Sequence, residues 1–422
     1  MWRKIFRPDV LLFIAMIQVL FPYVLWAFGI QVAKYPHNLT YLPIVYWTGG
    51  VFFFWLGGMF IRPRKQLLSF RIAPNRRRII ACCLFLVVCV ALQLLLIIQL
   101  YGTLPILSFL RNDHEFNVVT SSRMQEESAL GQIGLMYMTL LVGNGALLLL
   151  CILNLEPGGK RVYVILILFF VILLLGGIYN GKRQNLLAML VFLFAGLALY
   201  SNNLFFALKG VLPILRHRVV NIIAVFIVFY GVVGFFGVMS SLRNQNRYQV
   251  SGLDEIIAYY EYPVLNFEAQ CAVSGFLPYE FNLLYPVKQL LPYKLIDRLS
   301  WPDPPPRLER SAPAGMFEYI QWAWGFPGTV IFSLLLGILS MWLYQRVLSS
   351  PVFLLIYCQF VVAFVFAHSF NYFLILVYVT APCLAFLLIG RLLLPSRSKY
   401  LNGPPAEPLR LPINTAVFSR SV

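Results

Sequence analysis

Residues 219–239 read VVNIIAVFIVFYGVVGFFGVM, and the chain then changes character at Ser240-Ser241-Leu242-Arg243-Asn244-Gln245-Asn246-Arg247-Tyr248. The first piece has no charge and is about 20 residues long, the length a helix needs to cross the hydrocarbon core of a bilayer. The second opens the one long polar interval of the sequence, Ser240 to Gly325. That interval holds nine of the sixteen acidic residues and seven arginines and lysines. It continues through Tyr259-Tyr260-Glu261-Tyr262-Pro263 and Trp301-Pro302-Asp303-Pro304-Pro305-Pro306-Arg307 to Glu318-Tyr319-Ile320-Gln321-Trp322. A spanning helix that empties into a large surface loop is the pattern from which the rest of the chain is read.

Outward from this point, runs of similar length recur. At 60% hydrophobic and 12% charged residues, the chain is far more apolar than a soluble domain. Ten runs are expected to span: Val10 to Ile30, Tyr41 to Ile61, Ile79 to Tyr101, Gly131 to Leu153, Val162 to Tyr179, Asn185 to Ser201, Val219 to Met239, Phe326 to Gln345, Val352 to His368 and Asn371 to Gly390. The fold class is therefore an all-α polytopic membrane protein of about ten transmembrane helices. It divides into helices 1–7 over 1–239, a large loop with interfacial helices over 240–325, helices 8–10 over 326–391, and a Pro- and Ser-rich tail over 392–422 that reads as disordered.

The net charge of +17 does not indicate nucleic acid, because the basic residues punctuate the ends of apolar runs and do not form one soluble face. Arg3, Lys4 and Arg7 place the N-terminus in the cytoplasm, and strict alternation then puts 21 of the 33 basic residues inside and 12 outside. Both termini are expected to be cytoplasmic. Met1-Trp2-Arg3-Lys4 leads into the first run without a small-residue cleavage site, so that run reads as a helix and not as a signal peptide. The four histidines lack metal-ligand spacing, and Cys271 is the one cysteine in the long loop, so neither a metal site nor a disulfide framework is expected.

Charge on the external side points to chemistry. Gly181-Lys182-Arg183-Gln184-Asn185 puts two cations at a helix junction against the orientation rule; with helix N-terminal amides, Lys182 and Arg183 suit a phosphate. Arg243 and Arg247 are four apart, share a face of a continued helix, and suit a diphosphate clamp. Gly252 to Tyr262 reads as a short amphipathic helix in the interface, whose Tyr259, Tyr260 and Tyr262 fit either that boundary or stacking on sugar rings. Glu261, Glu268 and His114 are candidate general bases; each has the alternative of a solvated loop residue. Phe281 to Leu299 reads as a second interfacial helix, and Gly325 and Gly328 permit close approach of a helix or a ligand.

Taken together, Gly181-Lys182-Arg183, Arg243 after the seventh run, Tyr259 to Asn266, and Trp324-Gly325-Phe326-Pro327-Gly328 resemble the Wzy-type oligosaccharide repeat unit polymerases of bacterial surface polysaccharide pathways. The double cation Lys182-Arg183 departs from the single arginine that often suffices there. The resemblance implies a GT-C-like, metal-independent glycosyltransferase without a cofactor, in the bacterial inner membrane with its large loop periplasmic. Its implied partners are an undecaprenyl diphosphate-linked glycan donor and acceptor, membrane lipids and a chain-length regulator. Three rival readings stand beside it. An O-antigen ligase delivering glycan to lipid A core uses the same donor. A flippase or transporter would need charge at the midplane, where the sequence offers scattered polar residues such as Gln93 and Asn144. A non-enzymatic scaffold gives no reason for clustered external cations.

Overall fold

The computed structural model describes residues 5–30, 39–62, 76–101, 129–152, 183–200, 252–284, 315–347, 349–368 and 376–390. Among these the architecture is all-helical, with no strand. The helices are α1 (Pro8–Ala27), α2 (Leu42–Met59), α3 (Arg76–Tyr101), α4 (Ala129–Ile152), α5 (Arg183–Tyr200), α6 (Gly252–Ser274), α7 (Glu318–Arg346), α8 (Pro351–Val365) and α9 (Leu376–Ala385), the last continuing into a π-helical turn, Phe386–Gly390.

Apolar runs become helices here because, without water, only intrachain hydrogen bonds can satisfy the backbone. Among the described residues, four segments are long and apolar enough to cross a membrane: Pro8–Ala27, Leu42–Met59, Arg77–Gln99 and Glu318–Arg346. Their outward faces carry Phe13 and Ile17 on α1, Leu84 and Val87 on α3, and Ile331 and Leu335 on α7, all exposed. In a soluble protein such continuous apolar faces would be a liability; on a membrane-embedded protein they face lipid. The fifth and seventh expected runs and the tail lie outside the described residues.

Two expectations about the long loop change. Gly252 to Tyr262 is not a short surface helix: α6 continues through Pro263 to Ser274, and from Glu261 onward it is largely buried among other helices. The eighth run, expected from Phe326, begins as helix at Glu318. Within α7, Gly325 has φ +64° and ψ −160°, a conformation that L side chains avoid, so the helix breaks there and restarts at Phe326. Pro327 is accommodated because it falls in the first turn after the break, where its missing N–H has no partner to lose.

The core is built around α2 and α7. A Cβ placed on Gly57 would collide with the Leu334 carbonyl oxygen, and one on Gly337 with that of Phe54, so the two backbones touch. Small residues let helices gain dispersion contacts where lipid supplies no hydrophobic drive for association. Below them, the Tyr357 hydroxyl donates to the Phe6 carbonyl and ties α8 to the start of α1.

Candidate functional site

Helix α6 positions the site. Glu261 and Glu268 are seven residues apart, two helical turns, so both lie on one face, and that face packs against α1. Both carboxylates are buried, at 0% and 5% exposure, which removes the reading of either as a solvated loop residue. A buried carboxylate is tolerated only when it is paired or hydrogen-bonded. The two meet that requirement differently.

Glu268 is enclosed. The Tyr23 hydroxyl donates to its Oε1 at 2.6 Å and the Tyr41 backbone N–H to the same oxygen at 3.1 Å. The Thr40 backbone N–H and hydroxyl donate to Oε2 at 2.8 and 2.5 Å. These donors fill the roughly four lone-pair directions a carboxylate offers. The Thr40 hydroxyl also accepts from Leu42 N at 3.3 Å, at the start of α2, and Tyr41 is held with φ at +55°. A non-glycine residue in that region costs about 1 kcal/mol, and the bond from its own N–H to Glu268 helps to hold it there. Glu268 thus ties α6 to the α1–α2 connection. Cys271, just beyond, is buried, and burial together with the Glu268 carboxylate raises its thiol well above its ordinary value.

Glu261 accepts from the Trp26 indole N–H at 2.8 Å. The two residues before it are engaged by other rings. Tyr260 stacks on the His368 ring at 4.8 Å and meets Phe21 edge-on at 5.7 Å, while Tyr259 meets His368 edge-on at 5.9 Å. One face of Tyr260 is therefore covered by His368 and is not a free platform for a sugar. Burial also raises the Tyr260 phenol above its ordinary value, so it stays protonated at neutral pH. Tyr262 is half-buried.

On another side of α6 a second polar seam reaches α7. The Gln270 amide donates to the Glu318 carbonyl at 2.7 Å and contacts the Gln321 side chain. The Gln321 amide in turn donates to the Ser274 hydroxyl at 2.5 Å and the Gly275 carbonyl at 3.1 Å, and Tyr46 donates to the same carbonyl at 2.9 Å.

All these contacts lie at one end of the bundle. Phe6, Tyr357 and Arg346 mark the other end, where the Arg346 guanidinium lies over the Trp342 ring at 4.2 Å. Phe194 of α5 meets Phe6 at 6.0 Å, which places that part of α5 at the other end; Arg183 is the first residue of α5. His114, Lys182, Arg243 and Arg247 lie outside the described residues. Residues that sequence reading passed over include Tyr23, Trp26, Thr40, Gln270 and His368. Only the seven-residue spacing of the two glutamates was a usable signal; an aromatic pair at a span end reads equally well as an interfacial belt. No protein-family model, curated protein or solved structure matches this chain.

Proposed function

We propose that the protein is a membrane glycosyltransferase that polymerises undecaprenyl diphosphate-linked oligosaccharide repeat units at the periplasmic face of the bacterial inner membrane, with both termini cytoplasmic and a GT-C-like arrangement of about ten spans. The observation that carries this reading is a helix bearing two buried carboxylates, set at one end of an apolar bundle; that helix contains the tyrosine-rich stretch Tyr259 to Asn266, with Glu261, that resembles the polymerase family. A lipid-linked substrate meets a protein at that depth, where its diphosphate lies at the headgroups and its sugars lie in water.

In this reading the acceptor hydroxyl attacks the donor's anomeric carbon, the bond from that carbon to the diphosphate oxygen breaks, and the diphosphate leaves with the electron pair. Lys182, Arg183, Arg243 and Arg247 stabilise the charge that develops on it, which is the usual largest contribution to such a step. Glu261 takes the hydroxyl proton. Glu268 is poorly suited to that task because its lone pairs are occupied, and it serves to hold α6 in place. The tyrosines frame the glycan, Tyr260 through its edge and hydroxyl. A chain-length regulator and the surrounding lipids are the expected partners.

The test is to incubate wild-type, Glu261→Gln, Arg183→Ala and Arg243→Ala proteins, each shown to be present and folded in membranes, with lipid-linked repeat units and to resolve the glycan on a gel. Wild type gives a ladder, and the variants leave mainly single units, with loss of about a hundredfold or more expected for a removed base. An undiminished ladder in all three variants overturns the site. A wild-type protein that makes no ladder but delivers preformed chains to lipid A core is the ligase.

A further inference from the structure

The last two residues of α6 and the segment that follows it, Val273-Ser274-Gly275-Phe276-Leu277-Pro278-Tyr279-Glu280-Phe281-Asn282-Leu283-Leu284, present their large apolar side chains outward. Leu277 is 71% and Phe281 70% exposed, and Phe276, Tyr279 and Leu283 are exposed as well. Its backbone, in contrast, is pinned. Phe326 N donates to the Phe276 carbonyl at 2.9 Å, Tyr279 N to the Trp322 carbonyl at 2.9 Å, and the Trp324 indole to the Asn282 carbonyl at 3.0 Å. Tyr279 stacks on Trp322 with ring centroids 4.2 Å apart. The mould is the α7 break itself: a Cβ on Gly325 would sit 2.7 Å from the Phe276 carbonyl oxygen.

We infer that residues 273–284 form a membrane-docking loop that inserts into the interfacial layer of the bilayer at the end of the bundle bearing Glu261 and Glu268. Two observations name the bilayer as the occupant. First, the loop is continuous with a lipid-facing surface: Pro327, Ile331 and Leu335, on the outward side of α7, begin where the loop abuts that helix. Second, depth agrees. From the break to Arg346, α7 is about 30 Å long at 1.5 Å per residue, the thickness of the hydrocarbon core. With Arg346 and Trp342 marking one boundary, Gly325 and the loop fall at the opposite one. Non-helical backbone can enter that layer only if its polar groups are satisfied, and α7 satisfies several of them. Glu280 is the loop's one charged residue and it is exposed, which sets the depth at the headgroup boundary and not the core.

The experiment replaces Leu277 and, separately, Phe281 with photoreactive p-benzoylphenylalanine in the full chain, in native membranes, with Ile331 as a lipid-facing control. After irradiation the intact mass and the gel mobility are read. A mass increase of one phospholipid at both loop positions, as at Ile331, supports the loop. A product of twice the chain's mass means that a second copy covers it. A link to residues 285–314 means that the chain covers itself. Either product, or no lipid adduct at the loop while Ile331 gives one, overturns the inference.

Discussion

Helices α2 and α7 meet backbone to backbone through Gly57 and Gly337, whereas α1 and α6 meet through Glu268 and the donors that surround it. The first contact is dry, lies along the apolar length of the bundle, and rests on shape alone. The second lies at one end and rests on polar groups that have no other partner when buried. In a membrane these are the two available ways to hold helices together, and they fail differently. Shape fails when volume is added. A polar knot fails when one member is removed and the others are left unsatisfied. The contrast repeats on α6, where Glu268 takes four donors from Tyr23, Thr40 and Tyr41 and Glu261, two turns away, accepts from the Trp26 indole.

Adding volume to the dry contact is expected to have the largest effect. Gly337→Leu meets the Phe54 carbonyl, which cannot swing aside as a side chain can, so a loss of more than about 3 kcal/mol is expected. The folded fraction surviving heating in mild detergent, read by size exclusion, checks this; survival equal to wild type would mean that the helices are not in backbone contact. Next comes the polar knot. Glu268→Ala leaves the Tyr23, Thr40 and Tyr41 donors unsatisfied and is expected to cost roughly 3 kcal/mol, with Tyr23→Phe costing about 1 kcal/mol. If Tyr23→Phe proved the more damaging of the two in the same assay, Glu268 would not be the centre of the knot. Glu261→Gln sharpens the comparison in a different way. It keeps the shape and an acceptor for the Trp26 indole, so thermal survival should change little while polymer formation collapses. An equal loss of both would make Glu261 a second structural carboxylate. The smallest effect belongs to Gly58→Ala, whose added Cβ would meet Met341 at an ordinary 3.6 Å; the expected change is within about 0.5 kcal/mol of wild type.

Legibility in the sequence follows the same division. The runs that became α1 to α5 and α8 were visible with ends off by a few residues, because hydrophobic length and period are local properties. The extent of α6 was not visible. Its residues mix Glu261, Glu268 and Gln270 with tyrosines, and a polar composition reads as surface until partners bury it. The glutamates themselves were legible as candidates by type. Their separate roles were not, since the donors to Glu268 come from Tyr23, Thr40 and Tyr41, more than two hundred residues away in the chain. The tyrosine platform was legible as aromatic character, but the His368 ring on Tyr260 comes from a segment after α8.

By itself the sequence determined that this protein is helical and membrane-embedded, because roughly 20-residue apolar runs have no other way to satisfy their backbones than to form helices in lipid. The tertiary structure alone decided which donors each buried carboxylate meets, where α7 breaks, and which apolar residues face outward. Those properties depend on what each residue touches, and the partners are brought together by packing between segments far apart in the chain.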